Sequence, residues 1–323
     1  MVNASQVSHF YLGAYLDVGP LRWLYFLLIL SVYALILMSN VLLITIICTH
    51  RALHEPMYVF LSSLLVNELW GSTGLFPFLL VQVLRDVHTI SYTFCFLQIF
   101  CVYIYASAEM FTLSTMAYDR YLSICCPLQY KTRMSTCKVS ALVAAAWAYP
   151  LVSIVTVQIL AASLRLCGSA IPTVYCNNFY IVKLACGQTV VQNVFGLANL
   201  FVTVFFPLSV ILFSYARILR VCFGGAKVAR QKALSTCTPH IASVINLCFG
   251  MFFEIVQSRF DMTNVPKLIR ILLSVYFLAL QPLLNPVMYG LKLTKVRVLC
   301  TNMLRPRGRD KLCARACFTS KGV

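Results

Sequence analysis

The sequence predicts an all-α membrane protein, a bundle of seven transmembrane helices with an extracellular N-terminus and a cytoplasmic C-terminus. Three observations support this: an apolar composition, seven long segments almost free of charge, and a one-sided distribution of basic residues. Of the 323 residues, 60% are hydrophobic and 11% are charged. Soluble domains carry about 25% charged residues, so this chain has too few to coat a water-exposed surface. Disorder is excluded as well, because it requires low hydrophobicity.

The seven segments are each long enough to cross a bilayer, which takes about 20 apolar residues in a helix. They are 23–50, 57–84, 87–118, 139–164, 184–216, 233–258 and 271–291. The charged residues within them are Glu68, Glu109 and Glu254. Helices are expected because lipid cannot satisfy free backbone groups, and the sequence lacks the ten-residue alternating pattern of barrel strands.

The basic residues predict the orientation. With seven spans, 19 of the 26 lysines and arginines fall on one side, and the basic side of a membrane protein is cytoplasmic. The net charge of +17 therefore favours contact with lipid headgroups and argues against nucleic acid as a partner. The predicted organisation is an extracellular tail over 1–22, a transmembrane domain over 23–291, and a cytoplasmic amphipathic segment with a basic tail over 292–323.

Several residues are candidates for covalent modification. Asn3-Ala4-Ser5 is a glycosylation sequon, and its place in the extracellular tail predicts a glycan on Asn3. Cysteines in the basic tail are candidates for palmitoylation: Cys300, Cys313 and Cys317. Four further cysteines lie on the oxidising outer side, where disulfides persist: Cys95, Cys167, Cys176 and Cys186. Four cysteines allow three pairings, and the spacing does not choose among them.

Five motifs follow one another along the predicted helices. They are Leu53-His54-Glu55-Pro56-Met57-Tyr58, Met116-Ala117-Tyr118-Asp119-Arg120-Tyr121, Ser214-Tyr215, Lys232-Ala233-Leu234-Ser235-Thr236-Cys237-Thr238-Pro239-His240 and Pro282-Leu283-Leu284-Asn285-Pro286-Val287-Met288-Tyr289. Because these five motifs occur in this order, the chain resembles the vertebrate odorant-receptor family of rhodopsin-like G-protein-coupled receptors. The sequence departs from the family pattern at Ser39, Glu68, Pro239 and Phe249.

The resemblance implies an odorant receptor in the plasma membrane of olfactory sensory neurons, and not an enzyme. Such a receptor binds a small odorant in the outer half of the bundle. It activates a heterotrimeric G protein, here expected to be the olfactory stimulatory type that raises cAMP. The resemblance also implies the disulfides Cys95–Cys176 and Cys167–Cys186.

The resemblance further implies a cytoplasmic switch. Asp119 is expected to hold Arg120 at rest, and Arg120 then swings to receive the G protein. Arginine suits this role because its charged, planar fork can exchange hydrogen-bond partners, although an arginine at a helix end can simply snorkel to water. The other expected switch residues are Tyr121, Tyr215, Asn285, Pro286 and Tyr289.

A ligand pocket is expected between the third, fifth, sixth and seventh helices. Helical periodicity puts Val102, Ala106 and Glu109 on the same side as Arg120. The candidate pocket residues are Val102, Tyr103, Ala106, Ser107, Asn199, Thr203, Phe249, Phe252, Phe253, Val275 and Leu278. Ordinary helix packing is the alternative for each of them.

Glu68 and Glu109 are two carboxyl groups at membrane depth, and both cannot remain charged there without a partner. They are either neutral and hydrogen-bonded, to Asn40 or Asn285, or share a proton, or bind a sodium ion. The resemblance favours sodium, which would be the only cofactor, since hard cations prefer oxygen ligands.

Other functions fit the sequence less well. A receptor for an endogenous ligand outside the nose stays open, because only the site of expression separates it from an odorant receptor. An opsin would need a lysine within 271–291, and none occurs there. A transporter predicts more intramembrane charges or paired half-helices. Motifs of metalloproteases and serine hydrolases do not occur in the sequence.

Overall fold

The computed structural model describes residues 7–15, 19–224, 227–260, 262, 264–292 and 297–298. Within them it contains the seven predicted helices. These are α1 (Arg22–Thr49), α2 (Pro56–Val83), α3 (Tyr92–Cys125), α4 (Thr136–Ala162), α5 (Val190–Gly224), α6 (Lys227–Arg259) and α7 (Lys267–Lys292). The first six each contain a stretch long and apolar enough to cross a membrane. Helix α7 qualifies when its halves Lys267–Tyr276 and Leu278–Gly290, bent by 45°, are taken as one span. The glycosylation and palmitoylation candidates lie outside the described residues.

On the cytoplasmic side, three helices run well beyond the predicted membrane segments. Helix α3 continues to Cys125, past the Asp119–Arg120 pair, α5 continues to Gly224, and α6 begins at Lys227. A gap between charges measures the thickness of the hydrocarbon, whereas a helix ends where its backbone hydrogen bonding stops. Asp119, Arg120 and Tyr215 therefore lie within helices and not in the connecting loops.

Helix α3 is central and packs against α2, α4, α5 and α6. Its approach to α2 depends on two glycines. A Cβ atom on Gly71 would lie 2.3 Å from Cγ of Tyr105, and one on Gly74 would lie 2.5 Å from Cβ of Cys101. Small residues allow membrane helices to come this close. The missing side chain at position 71 thus makes room for Tyr105, which is completely buried.

The proline in the Asn285-Pro286 motif leaves one backbone carbonyl without its helical partner. Pro286 has no N–H, so the carbonyl of Pro282, four residues earlier, loses its hydrogen bond. Asn40 of α1 restores it: its Nδ2 donates to the Pro282 oxygen (2.9 Å) as well as to the oxygen of Ile36 (2.8 Å). This buried amide therefore fastens α1 to α7 at the proline.

A small sheet and two disulfides organise the extracellular side. Strand β1 (His9–Leu12) lies between β2 (Thr89–Ser91), to which it is antiparallel, and β3 (Ala170–Ile171), to which it is parallel. The sequence did not predict these strands, which are too short to give an alternating pattern. Disulfides join Cys95 to Cys176 and Cys167 to Cys186, the two pairings that the resemblance implies. The first one ties the long outer loop to the start of α3.

Candidate ligand cavity and cytoplasmic switch

A cavity of about 180 Å³ lies in the outer half of the bundle, below the long outer loop. Six of the eleven predicted pocket residues line it: Val102, Tyr103, Ala106, Ser107, Asn199 and Thr203. Helix α4 contributes Ile154 and Val157. The prediction placed α7 in this wall, but none of the lining residues belongs to α7.

The other five predicted pocket residues lie elsewhere. The side chains of Phe249 and Phe252 are 46% and 60% exposed on the outside of the bundle. The Phe253 ring packs 4.6 Å from that of Phe249. Val275 lines a separate cleft between α1, α2 and α7, and Leu278 is fully buried in the core. These five residues therefore do not line the cavity beneath the outer loop.

The rotation of α6 about its axis explains why Phe249, Phe252 and Phe253 do not line the cavity. Met251, Glu254, Ile255 and Ser258 line the cavity, and their spacing of three, four and seven residues is that of one helix face. Phe252 lies 100° of helix rotation from Met251 and therefore faces away. The phenylalanines were predicted to line the pocket because aromatic side chains suit an apolar wall. An apolar segment does not show which face of its helix points inward, so the sequence could not test this choice.

The sequence did not predict the residues that form the roof of the cavity. Tyr175, Asn177 and Phe179 of the outer loop line it. The hydroxyl of Tyr103 donates to Oδ1 of Asn177 (3.0 Å) and accepts from the backbone N–H of Asn178 (3.2 Å). The expected Cys95–Cys176 disulfide was the available signal, because residues next to Cys176 must then lie above α3. Burial raises the pKa of Tyr175, so its hydroxyl stays protonated.

Below the cavity, a buried polar cluster joins α2, α3 and α7. Nδ2 of Asn285 donates to Oε1 of Glu109 (3.0 Å) and also to Oε1 of Glu68. Glu109 accepts further hydrogen bonds from Nδ2 of Asn67 (2.9 Å) and Nε2 of Gln281 (3.3 Å). One amide therefore bridges the two carboxyl groups. Of the two partners considered from the sequence, it is Asn285, and not Asn40, that contacts them.

Several oxygens near this cluster have no donor. Among the buried oxygens of the described residues that lack a hydrogen-bond partner, four belong to side chains of α1, α2 and α7: Oε2 of Glu68 and Oδ1 of Asn40, Asn67 and Asn285. Carboxylate and amide oxygens are the ligands that hard cations prefer. These oxygens are therefore of the kind that the sodium ion considered from the sequence would need as ligands.

At the cytoplasmic end of α3, Arg120 is paired with its neighbour Asp119. Nε of Arg120 donates to Oδ2 of Asp119 (3.1 Å), and Nη2 donates to the same oxygen. The hydroxyl of Tyr130 donates to the other carboxylate oxygen (2.7 Å). Burial and the nearby Asp119 raise the pKa of Tyr130, which keeps its proton in place. This geometry matches the resting arrangement that the resemblance implies.

Tyr215 and Tyr289 both face the inside of the bundle, and Tyr289 is completely buried. His240, the last residue of the fourth motif, was not among the expected switch residues, yet it connects three helices here. Nε2 of His240 contacts the carbonyl oxygen of Leu113 (2.8 Å), so this nitrogen carries the proton. Nδ1 then accepts from the Tyr215 hydroxyl (2.7 Å). His240 thus links α3, α5 and α6 beside the switch.

Comparison with known proteins agrees with this geometry. The sequence model of the family described as "Olfactory receptor" matches residues 29–307. Human olfactory receptor 11A1 is 34% identical over 91% of this chain and 94% of its own length. Human olfactory receptor 10J5 is 30% identical over 92% and 96%, and mouse olfactory receptor 4B13 is 32% identical over 92% and 96%. The chain therefore belongs to the olfactory receptor family and is an odorant receptor, a multi-pass protein of the plasma membrane that couples to G proteins.

Proposed function

We propose that the odorant binds in the cavity beneath the outer loop and activates a stimulatory G protein, which raises cAMP. The observation that carries this proposal is the arrangement of α3, which has Tyr103 and Ser107 in the cavity wall and Arg120 at the cytoplasmic end. Tyr103 and Arg120 are 17 residues apart in one helix, or about 25 Å. The ligand cannot touch the G protein, so it must act by shifting the population between two packings of the bundle.

The bonds between helices are the contacts that such a shift would exchange. The Asn285 amide bridges the carboxyl groups of α2 and α3, and His240 bridges α3, α5 and α6. In the described part of the chain, Arg120 forms one ion pair, and its partner is Asp119. The active packing would release this pair and free the guanidinium for the G protein.

The cavity suits a small amphipathic ligand. Its volume of about 180 Å³ compares with about 150 Å³ for an engineered protein cavity that binds benzene. Its wall is mostly apolar, with hydroxyl and amide groups from Ser107, Asn199 and Thr203. Pockets of this composition hold small molecules by apolar contact and orient them through a few polar groups.

A ligand panel on cells expressing the receptor, with cAMP as the readout, tests this proposal. For an identified agonist, Ser107→Ala and Thr203→Ala should each lower potency by about 3- to 10-fold, the effect of one neutral hydrogen bond. Phe252→Ala is the matched control, because this side chain lies on the outer surface. Unchanged dose–response curves for both cavity variants, at equal surface levels, would place the ligand elsewhere.

We also propose that sodium binds at the polar cluster and stabilises the resting packing. The support is the bridged pair Glu68 and Glu109, together with the four buried oxygens that lack donors. An ion that binds one packing stabilises it by mass action. Replacing extracellular sodium with N-methylglucamine should therefore raise agonist potency, and Glu109→Gln should weaken that response. Equal potency in both media would contradict a regulatory sodium site and favour a shared proton.

A further inference from the structure

Glu254 is the third carboxyl group within the predicted membrane segments, and it takes no part in the polar cluster. It lies on the face of α6 that lines the cavity. Neither ligand binding nor the switch, as described above, assigns it a role.

The orientation of the Asn177 amide determines which hydrogen bond it gives to the carboxyl group of Glu254. Oδ1 of Asn177 accepts two hydrogen bonds, from the Tyr103 hydroxyl (3.0 Å) and from the backbone N–H of Phe179 (2.9 Å). Reversing the amide would place its N–H against the backbone N–H of Phe179 and its oxygen against a carboxyl oxygen of Glu254. Its Nδ2 therefore faces Glu254 and donates to Oε1 (2.8 Å). The disulfide of Cys176, the preceding residue, holds this part of the roof in place.

The second carboxylate oxygen, Oε2, is buried and has no hydrogen-bond partner within the described residues. The hydroxyl of Tyr175 lies within hydrogen-bonding reach of the carboxyl group, but it has a single proton, which it donates to the carbonyl oxygen of Ser274 (3.4 Å). Arg259 also lines the cavity. Its guanidinium carbon lies 4.4 Å from the centre of the Phe179 ring, and no ion pair joins it to Glu254 in the described part of the chain.

We propose that this receptor recognises small protonated amines and that Oε2 of Glu254 accepts a hydrogen bond from the ligand's ammonium group. A buried carboxylate without a counter-charge is costly, and a hydrogen-bonded cation offsets that cost. The apolar remainder of the wall, including Val102, Ala106 and Val157, would hold a compact hydrocarbon body. The inference rests on the proposed function, because it takes this cavity to be the odorant site.

The test uses three ligands with one carbon skeleton: cyclohexylamine, cyclohexanol and cyclohexanone. On the wild-type receptor the amine should be the most potent of the three in raising cAMP. Glu254→Gln should lower the potency of the amine by about 10- to 100-fold, the range for hydrogen bonds to charged groups. It should not lower that of cyclohexanone, which has no proton to donate.

Asp86→Asn is the matched control, since it removes the same charge from a side chain that is 85% exposed at the outer end of the bundle. It should leave the potency of the amine unchanged. An equal loss in both variants would mean that the outer surface merely attracts cations, and it would overturn the assignment. An unchanged amine response in Glu254→Gln would overturn it too.

Surface levels measured by flow cytometry keep these outcomes interpretable. If Glu254→Gln fails to reach the surface, Glu254→Asp keeps the carboxylate on a shorter side chain, and it should retain the preference for the amine at reduced potency. Equal potency of all three ligands in Glu254→Asp, or an undiminished potency of the amine, would contradict the inference, because the shorter side chain keeps the charge but moves it away from the ligand. A wild-type receptor that responds to other ligand classes but to no amine refutes this inference alone. A surface receptor silent to every class contradicts the proposed function itself.

Discussion

Single amide side chains determine how the buried polar groups of this receptor are arranged. Asn40 bonds the carbonyl freed by Pro286, Asn285 bridges two carboxyl groups, and Asn177 connects the roof of the cavity to α6. A buried polar group without a hydrogen-bond partner is costly inside a membrane. Each buried asparagine must therefore lie next to groups that can donate to it or accept from it. The sequence pointed to Asn285 through its motif. It gave no such pointer to Asn177, because a loop amide has no periodicity to reveal what it faces.

At the same scale, the two disulfides should differ in their contribution to stability. They close loops with sequence separations of 81 and 19 residues. The chain-entropy relation gives about 4.5 kcal/mol for the longer loop and about 3 kcal/mol for the shorter one. Cys95→Ser should therefore reduce surface expression more than Cys167→Ser.

The double variant Cys95→Ser/Cys176→Ser should be little worse than either single one, because the two sulfurs act as one unit. Flow cytometry of the variants and mass spectrometry of the purified protein provide the measurements. A bond between Cys95 and Cys167 in the mass spectrum would show that the assignment is wrong.

At the scale of helices, existence was easier to predict than extent or rotation. The seven segments almost free of charge identified all seven helices, because a lipid environment leaves few alternatives to a helix. They did not give the cytoplasmic extensions of α3, α5 and α6. The face of α3 could be predicted because Arg120 supplied a reference direction, whereas α6 has an apolar surface on several sides and offered none. This is why Ser107 was correctly expected in the cavity wall and Phe252 was not.

The contact between α2 and α3 gives a prediction at this scale. Gly71→Ala would place a methyl group against the buried ring of Tyr105, whereas a Cβ on Gly224 would meet nothing within 4 Å. Overpacking of this kind costs about 1–3 kcal/mol. The thermal midpoint of detergent-purified Gly71→Ala should fall well below that of wild type and of Gly224→Ala. Equal midpoints for all three proteins would show that the helices separate easily here.

For the whole molecule, the bundle separates the place of recognition from the place of signalling. The cavity lies under the outer loop, the polar cluster lies below it, and the Asp119–Arg120 pair lies at the cytoplasmic end. The sequence predicted this order, because the motifs occur on known sides of the membrane. It did not predict the extracellular sheet, whose strands of two to four residues are specified by their neighbours and not by a local pattern.

The most direct test of this separation is an agonist dose–response curve for cAMP in Arg120→Ala at a surface level matched to wild type. Arg133→Ala is the control, because Arg133 is an exposed cytoplasmic arginine outside the switch. If ligand binding acts through Arg120 from about 25 Å away, the agonist should raise cAMP in Arg133→Ala and not in Arg120→Ala. A normal response from Arg120→Ala at the cell surface would contradict the account.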